Sequence, residues 1–338
     1  MRKIAVEIEV IDDRHCMDEI GFYTLSNDRC KNVSWTSDMQ RCELILTDRC
    51  NFRCVYCRGI KKEYRGDISW EQAREVVDIW TSGNLKNIRF SGGEPTLWPD
   101  LLRLVKYTRE SKCIEHIALS TNGSASLNYY LELLNAGVND FSISLDACCA
   151  TTAAMMAGTE TKFNHIVTVI KELSKITYVT VGVVLTKDNL SELPATIAYA
   201  TGLGVSDIRI IPSAQFNKIY PFDIETNYKL LNYRLNNLKN GNHLRGLKDT
   251  DCNKCHLVKD DMAVLYGYHF PCIIYMREQG NPIGSVYGKS LKQIREERKE
   301  WFDNTNTQEN IICKNNCLDV CIEHNNPAAC RNSEIKEG

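Results

Sequence analysis

Leu46-Thr47-Asp48-Arg49-Cys50-Asn51-Phe52-Arg53-Cys54-Val55-Tyr56-Cys57-Arg58-Gly59 is the stretch that decides how this chain is read. Cys50, Cys54 and Cys57 are separated by three and then two residues, so three thiols share one tight loop. Three thiolates leave one iron of a four-iron cluster without a protein ligand, and an open iron can hold a substrate or second cofactor. A structural zinc site wants a fourth ligand nearby, and none is close in sequence. Three buried free cysteines are the plain alternative, since cysteine packs as a small hydrophobe.

A second motif follows a candidate strand: Ser91-Gly92-Gly93-Glu94-Pro95. With both motifs in this order, residues 40–215 resemble the radical S-adenosylmethionine (SAM) superfamily. The resemblance implies a [4Fe-4S] cluster on Cys50, Cys54 and Cys57, with SAM chelated at the open iron. One electron would cleave the S–C5′ bond, and the 5′-deoxyadenosyl radical would abstract a hydrogen atom from a substrate. It also implies that Tyr56 lies beside adenine and that the Gly92–Gly93–Glu94 loop meets the SAM amino group. An external electron donor such as flavodoxin or ferredoxin is expected.

The bulk numbers exclude some classes. The chain has 338 residues and a net charge of −2, which removes the usual electrostatic argument for a nucleic-acid partner. Met1-Arg2-Lys3 leads into an alternating stretch rather than an apolar run, so no secretion signal is expected. No stretch approaches the ~20 apolar residues of a membrane span. Sixteen cysteines without a secretion signal point to metal or redox chemistry in the cytoplasm rather than to disulfides.

From Cys42 the pattern alternates strand and helix. Strands are expected at 43–46, 87–90, 116–120, 140–144, 178–185 and 207–211. Ser69-Trp70-Glu71-Gln72 reads as a capping box ahead of the stripe Ala73, Val76, Val77, Trp80. Further stripes are Leu101, Leu102, Leu104, Val105; then Leu127, Tyr130, Leu131, Leu134, closed by Gly137; then Ile166, Val167, Val169, Ile170, Leu173; then Leu193 and Ile197. Six βα units predict an α/β fold, a partial (β/α)6 TIM-type barrel, with chemistry at the C-terminal strand ends. Thr121 and Asn122 end the third strand, and Ser144 and Asp146 the fourth, so they are candidates for SAM contacts. Arg209 and Ser213 flank the sixth. Cys148 and Cys149 lie just beyond Asp146, where a thiol would return a hydrogen atom to a substrate radical; two small buried side chains are the plain alternative.

The expected organisation is a β-rich element over 1–40, the partial barrel over 41–213, a helical linker over 214–250 with a polar helix at 222–240, and a cysteine-rich domain over 251–338. Seven cysteines lie in that last region: Cys252, Cys255, Cys272, Cys313, Cys317, Cys321 and Cys330. Cys255, Gly267 and Cys272, followed by Ile283-Gly284-Ser285-Val286 and Ser290-Leu291, resemble the SPASM and twitch extensions of radical SAM enzymes. That resemblance implies at least one auxiliary iron–sulfur cluster. The tail departs from the SPASM spacing Cys-x2-Cys-x5-Cys-x3-Cys, so a second cluster would need another ligand, with His256 and His324 as candidates. Zinc on Cys252 and Cys255 is the alternative. Enzymes with this extension most often modify peptides; others oxidise or epimerise sugars, aminocyclitols or nucleotides. An iron–sulfur electron carrier would explain the cysteines but not the Gly-Gly-Glu loop. The cysteine loop also resembles that of the cyclase of molybdenum-cofactor synthesis. Against it, the stretch after Cys255 reads HLVKDDMAVLYG without that enzyme's arginines, and the chain ends Ile335-Lys336-Glu337-Gly338 rather than in Gly-Gly.

Overall fold

The computed structural model describes residues 33–59 and 64–334. The β-rich element expected over the first residues, with Cys16 and Cys30, lies almost wholly outside them. The fold is α/β, with parallel strands in a sheet that does not close, as a partial barrel requires. The chain divides into two compact units, and these do not follow the expected sequential boundaries.

The first unit takes in residues 50–57 and 118–244. Its parallel strands run β3 (His116–Thr121, from Ala118 onward), β4 (Asp140–Ser144), β5 (Tyr178–Leu185) and β6 (Asp207–Pro212). The two-residue period sorts their side chains. Phe141, Ile143, Val179, Val181, Ile208 and Ile210 are buried, while the alternate register positions carry Ser142 beside Thr180, and Ser144 beside Gly182 and Arg209. Helices α3 (Leu127–Ala136), α4 (Ala150–Ala157), α5 (Phe163–Ser174), α6 (Leu193–Gly202) and α7 (Lys229–Lys239) belong to this unit. Helix α3 ends at Gly137 as expected, but its fully buried residues are Tyr130 and Leu133; Leu127, Leu131 and Leu134 are half-buried. The expected 222–240 helix starts only at Lys229. It is not a bare linker: Leu230, Leu231, Leu235 and Leu238 are buried, and buried Arg234 donates to the Ile210 carbonyl of β6.

The second unit takes in residues 33–49, 58–117 and the chain from Arg245. Strand β1 (Arg41–Ile45) pairs in parallel with β2 (Asn87–Ser91) on one side and β7 (Asp261–Leu265) on the other. Strands β8 (Tyr268–Phe270) and β9 (Gly284–Ser285) continue antiparallel. The cysteine-rich segment is therefore joined through β7 to the first strand rather than folded apart from it. All five residues of β2 and of β7 are buried. Helix α1 (Trp70–Thr81) begins at the expected capping box, Ser69 Oγ accepting from Gln72 N and Gln72 Oε1 from Ser69 N. Helix α2 (Leu101–Arg109) buries Leu101, Leu104 and Val105. Helices α8 (Ile273–Arg277), α9 (Leu291–Asn304), α10 (Ile311–Asn316) and α11 (Asp319–Glu334) complete the unit. Among the described residues no helix is long and apolar enough to cross a membrane.

Burial has a pH signature at β6. Desolvation pushes the Asp207 carboxyl up to about 7, against the pull of the Ile208 N–H, the Tyr178 hydroxyl and Arg209. Between pH 4 and 7 the folded state then holds a proton that the unfolded chain has released. Stability from this group is complete below pH 4 and is lost as pH rises through 7. The loss is on the order of 4 kcal/mol at about 1.36 kcal/mol per pH unit. Asp207→Asn should flatten the decline of Tm across this range, measured by thermal melts at stepped pH; a wild-type Tm that rises steadily from pH 4 to 7 at this site would contradict it.

Candidate functional site

The three cysteines of the loop belong to the first unit, and the structure shows what shapes them. The loop is held by helix α4. Arg53 N–H donates to Ala157 O at 2.8 Å and Val55 N–H to Met156 O at 3.1 Å, so the loop uses carbonyls that the helix end leaves open. Gly158 closes the helix with φ +60°, and a Cβ there would collide with the Arg53 carbonyl. Only glycine satisfies both demands. Within the loop, Cys57 N–H donates to Cys54 O at 3.0 Å, and Phe52 N–H points at Cys50 Sγ at 3.4 Å.

Two strand ends brace the same loop. Asn122 donates to Asn51 Oδ1 at 2.8 Å and points Nδ2 at Cys50 Sγ from 3.9 Å; Asn51 in turn donates to Ser124 Oγ at 2.8 Å. The Tyr56 hydroxyl donates to Asp146 Oδ2 at 2.6 Å, and Asp146 Oδ1 accepts from Val184 N at 2.7 Å. Buried Asn189 bonds both the Asp146 and Val184 carbonyls at 2.9 Å. Asp146 thus grips the tyrosine of the cysteine loop. Burial pushes its carboxyl up to about 6, against those two hydrogen bonds. Thr121 is buried with its hydroxyl 2.8 Å from Tyr130 Oη, whereas Ser144 is exposed at the end of β4.

Cys149 is exposed and is the N-cap of α4; Thr152 Oγ1, 3.4 Å from Sγ, and backbone N–H groups lower its thiol. Cys148 is half-buried with Sγ 4.0 Å from Glu192 Oε2, and Thr152 donates to the other oxygen at 2.8 Å. Neither thiol is simple core filler.

The Gly92–Gly93–Glu94 loop lies in the second unit, with the residues leading into Cys50. Gly93 N–H donates to Thr47 O and Glu94 N–H to Arg49 O, both at 2.7 Å. A Cβ on Gly93 would strike the Arg49 carbonyl, so this approach requires glycine. Asp67 braces the partner strand, accepting from Thr47 Oγ1 at 2.6 Å and from both Nε and Nη2 of Arg49. Glu94 is fully buried, and its Oε1 accepts from Thr96 N at 3.1 Å and Thr96 Oγ1 at 2.7 Å, closing the loop.

The second unit also gathers the C-terminal cysteines. Cys252, Cys255, Cys272, Cys313, Cys317 and Cys321 line one cavity of about 40 Å³, with Tyr275 and Trp301 in its walls. One water needs only ~10–15 Å³, so the space suits a group of several atoms. No histidine lines it; His256 is buried against Phe302 instead. Cys330 lies on α11, beyond the residues whose side chains are described. Burial raises the thiols of Cys255 and Cys272 and pushes Cys313 up to about 12. The hydrogen bond between Cys317 and Cys321 raises the first and lowers the second, with Arg41 helping to lower it. Burial likewise pushes Cys54 up to about 12. Thiols in such surroundings ionise when a bound cation repays the desolvation. Among the described residues no three His, Cys, Asp or Glu side chains converge as one metal ion requires. The donor set, all sulfur around a cavity rather than a point, fits an iron–sulfur cluster better than zinc.

The candidate residues named from sequence are thus distributed over two units, each internally consistent. Asn51, Asn189, Gly158 and Glu192 were missed. Each acts through a partner at least 40 positions away, and Asn51 alone carried a local signal, its place inside the cysteine loop. Gly158→Ala should cost roughly 1–3 kcal/mol of stability, read as a lower Tm; unchanged melting would show that the close approach of α4 to the loop does not depend on glycine.

Comparison with known proteins finds a family match over part of the chain. Residues 44–200 match the Radical SAM superfamily. GTP 3',8-cyclase of Staphylococcus carnosus is 36% identical over 114 residues, covering 31% of this chain and 33% of that protein. The Vibrio vulnificus protein of the same name is 30% identical over 160 residues, covering 45% and 48%. The chain therefore matches only a third to a half of the length of these curated relatives. Among solved structures, Streptococcus suis SuiB bound to precursor peptide SuiA superposes with TM-score 0.59 at 14% identity, over 82% of this chain and 67% of that one. Native anSMEcpe with bound AdoMet gives 0.55 at 17%, over 78% and 83%. These last two are likenesses of fold. The chain carries a radical SAM superfamily domain, an enzyme domain.

Proposed function

We propose that this protein is a radical SAM enzyme that abstracts a hydrogen atom from a peptide substrate and oxidises or crosslinks it. The observation that carries this is the three-cysteine loop clamped between α4, Asn122 and Asp146 inside the matched domain. Cys50, Cys54 and Cys57 would hold a [4Fe-4S] cluster that, with SAM bound and an external electron donor, supplies a 5′-deoxyadenosyl radical. The chain's own residues prepare the place. Asp146 fixes the Tyr56 ring that would lie beside adenine. Gly92 and Gly93 leave backbone, without Cβ atoms, to meet the SAM amino group. Glu94 holds that loop in shape, and Thr121, Asn122 and Ser144, at their strand ends, would serve the ribose and carboxylate. The cavity cysteines, with Cys330, would hold at least one auxiliary iron–sulfur cluster.

The oxidative branch is supported by the six cysteines that line the C-terminal cavity, which outnumber the Cys148–Cys149 pair. The peptide reading is supported by the fold likeness to SuiB, which extends over 82% of the chain, well past residues 44–200. A nucleotide substrate is the second reading, favoured by the cyclase relatives.

Anaerobic reconstitution with iron and sulfide, followed by SAM and dithionite, tests the central reading. The wild type should release 5′-deoxyadenosine, and Cys50→Ala/Cys54→Ala/Cys57→Ala should release none while keeping iron and sulfide in the C-terminal cavity. SAM cleavage by the triple variant would sink the assignment, and zinc without sulfide in that variant would sink the auxiliary cluster. Consumption of added GTP coupled to 5′-deoxyadenosine release would replace the peptide reading with the nucleotide one.

A further inference from the structure

The cysteine cavity and the Gly-Gly-Glu loop are connected by one short helix. Cys272 is the N-cap of α8, and its Sγ accepts the Tyr275 N–H at 3.4 Å. The helix has only five residues. At its far end two consecutive side chains reach back to the other motif. Arg277 Nη2 donates to the Gly92 carbonyl at 2.9 Å. Glu278, whose side chain is 7% exposed, pairs with Arg58 Nη1 at 3.1 Å and faces Arg245 Nη1 at 3.5 Å. Arg58 directly follows Cys57 in the chain. Arg245 donates to Asn316 Oδ1 at 3.2 Å, and Asn316 directly precedes the cavity residue Cys317.

We propose that α8 couples the two motifs, with Arg277 and Glu278 as positioning residues for the Gly-Gly-Glu loop and for the chain leaving Cys57. This rests on the SAM reading of the loop and the cluster reading of the cavity. The physical basis is the shortness of the link. A glycine pair has no side chains to anchor it, so the loop depends on backbone bonds: Gly93 and Glu94 toward Thr47 and Arg49, and Gly92 toward Arg277. One and a half helical turns, ~7.5 Å long, cannot absorb a shift at Cys272 without moving Arg277. A filled cavity fixes Cys272; an empty one leaves buried thiols whose positions nothing charged defines. Coupling of this kind is reciprocal, so SAM binding also favours the filled cavity.

The test is SAM affinity by equilibrium binding to reconstituted holoprotein, with iron content and the EPR change of the reduced loop cluster on SAM addition as further readouts. Arg277→Ala should weaken SAM binding about 3- to 10-fold at unchanged iron, and Arg277→Lys should recover part of the loss. Glu278→Gln, which keeps size and loses charge, should also weaken binding. Cys272→Ser should weaken SAM binding comparably, and its combination with Arg277→Ala should be no weaker than the worse single variant. Unchanged affinity in Arg277→Ala and Glu278→Gln, or additive losses in the double variant, overturns the coupling while leaving the enzyme assignment intact. A wild-type holoprotein that binds no SAM overturns both.

Discussion

A buried sulfur cannot easily become a thiolate without a cation beside it, and this cost organises the molecule. Burial raises Cys54 in the first motif and Cys255, Cys272 and Cys313 in the cavity. Left alone, such thiols are inert packing. Placed around a loop or a cavity, they would form a site whose charge is supplied by what it binds. Binding and folding would then be linked, because the group that repays desolvation would also fix the backbone carrying the sulfurs.

Within the first unit that backbone is fixed by ordinary means. Helix α4 lends its terminal carbonyls to the loop, Gly158 permits the close approach, and Asn122 and Asp146 reach from the ends of β3 and β4. Strand ends in βα folds are where side chains are free of the ladder yet rigidly placed. In the second unit, β7 lies against β1, so the C-terminal cysteines share a sheet with the strand that leads toward Cys50. Buried Arg298 adds to this by bonding the carbonyls of Val258, Phe270 and Pro271, the last of which precedes Cys272.

Much of this was legible before any coordinates. The period-two and period-3.6 patterns placed β4 and β5 at their observed limits and the other core strands within one or two residues. The capping box at Ser69 and the stop at Gly137 were read from local chemistry that needs no tertiary partner. The misreadings share a cause. In α3 the pattern favoured Leu127, Tyr130, Leu131 and Leu134, but packing fully buried Tyr130 and Leu133, because which arc of an apolar helix faces inward depends on its neighbours. The 222–240 segment looked polar, yet its leucines are covered by β6 and its Arg234 finds a strand carbonyl.

What the sequence alone determined is the chemistry: the cysteine spacing, the glycine pair and the alternation of strands and helices, all set by short-range covalent geometry. Tertiary structure decided the partners. That Asp146 holds Tyr56, that six cysteines from 252 to 321 face one cavity, and that Arg277 grips Gly92 are pairings across 90, 69 and 185 positions. No local pattern encodes such distances, because they are fixed by how strands register and helices pack. The residue types that can perform a reaction are written locally; the residues that aim them are chosen by the fold.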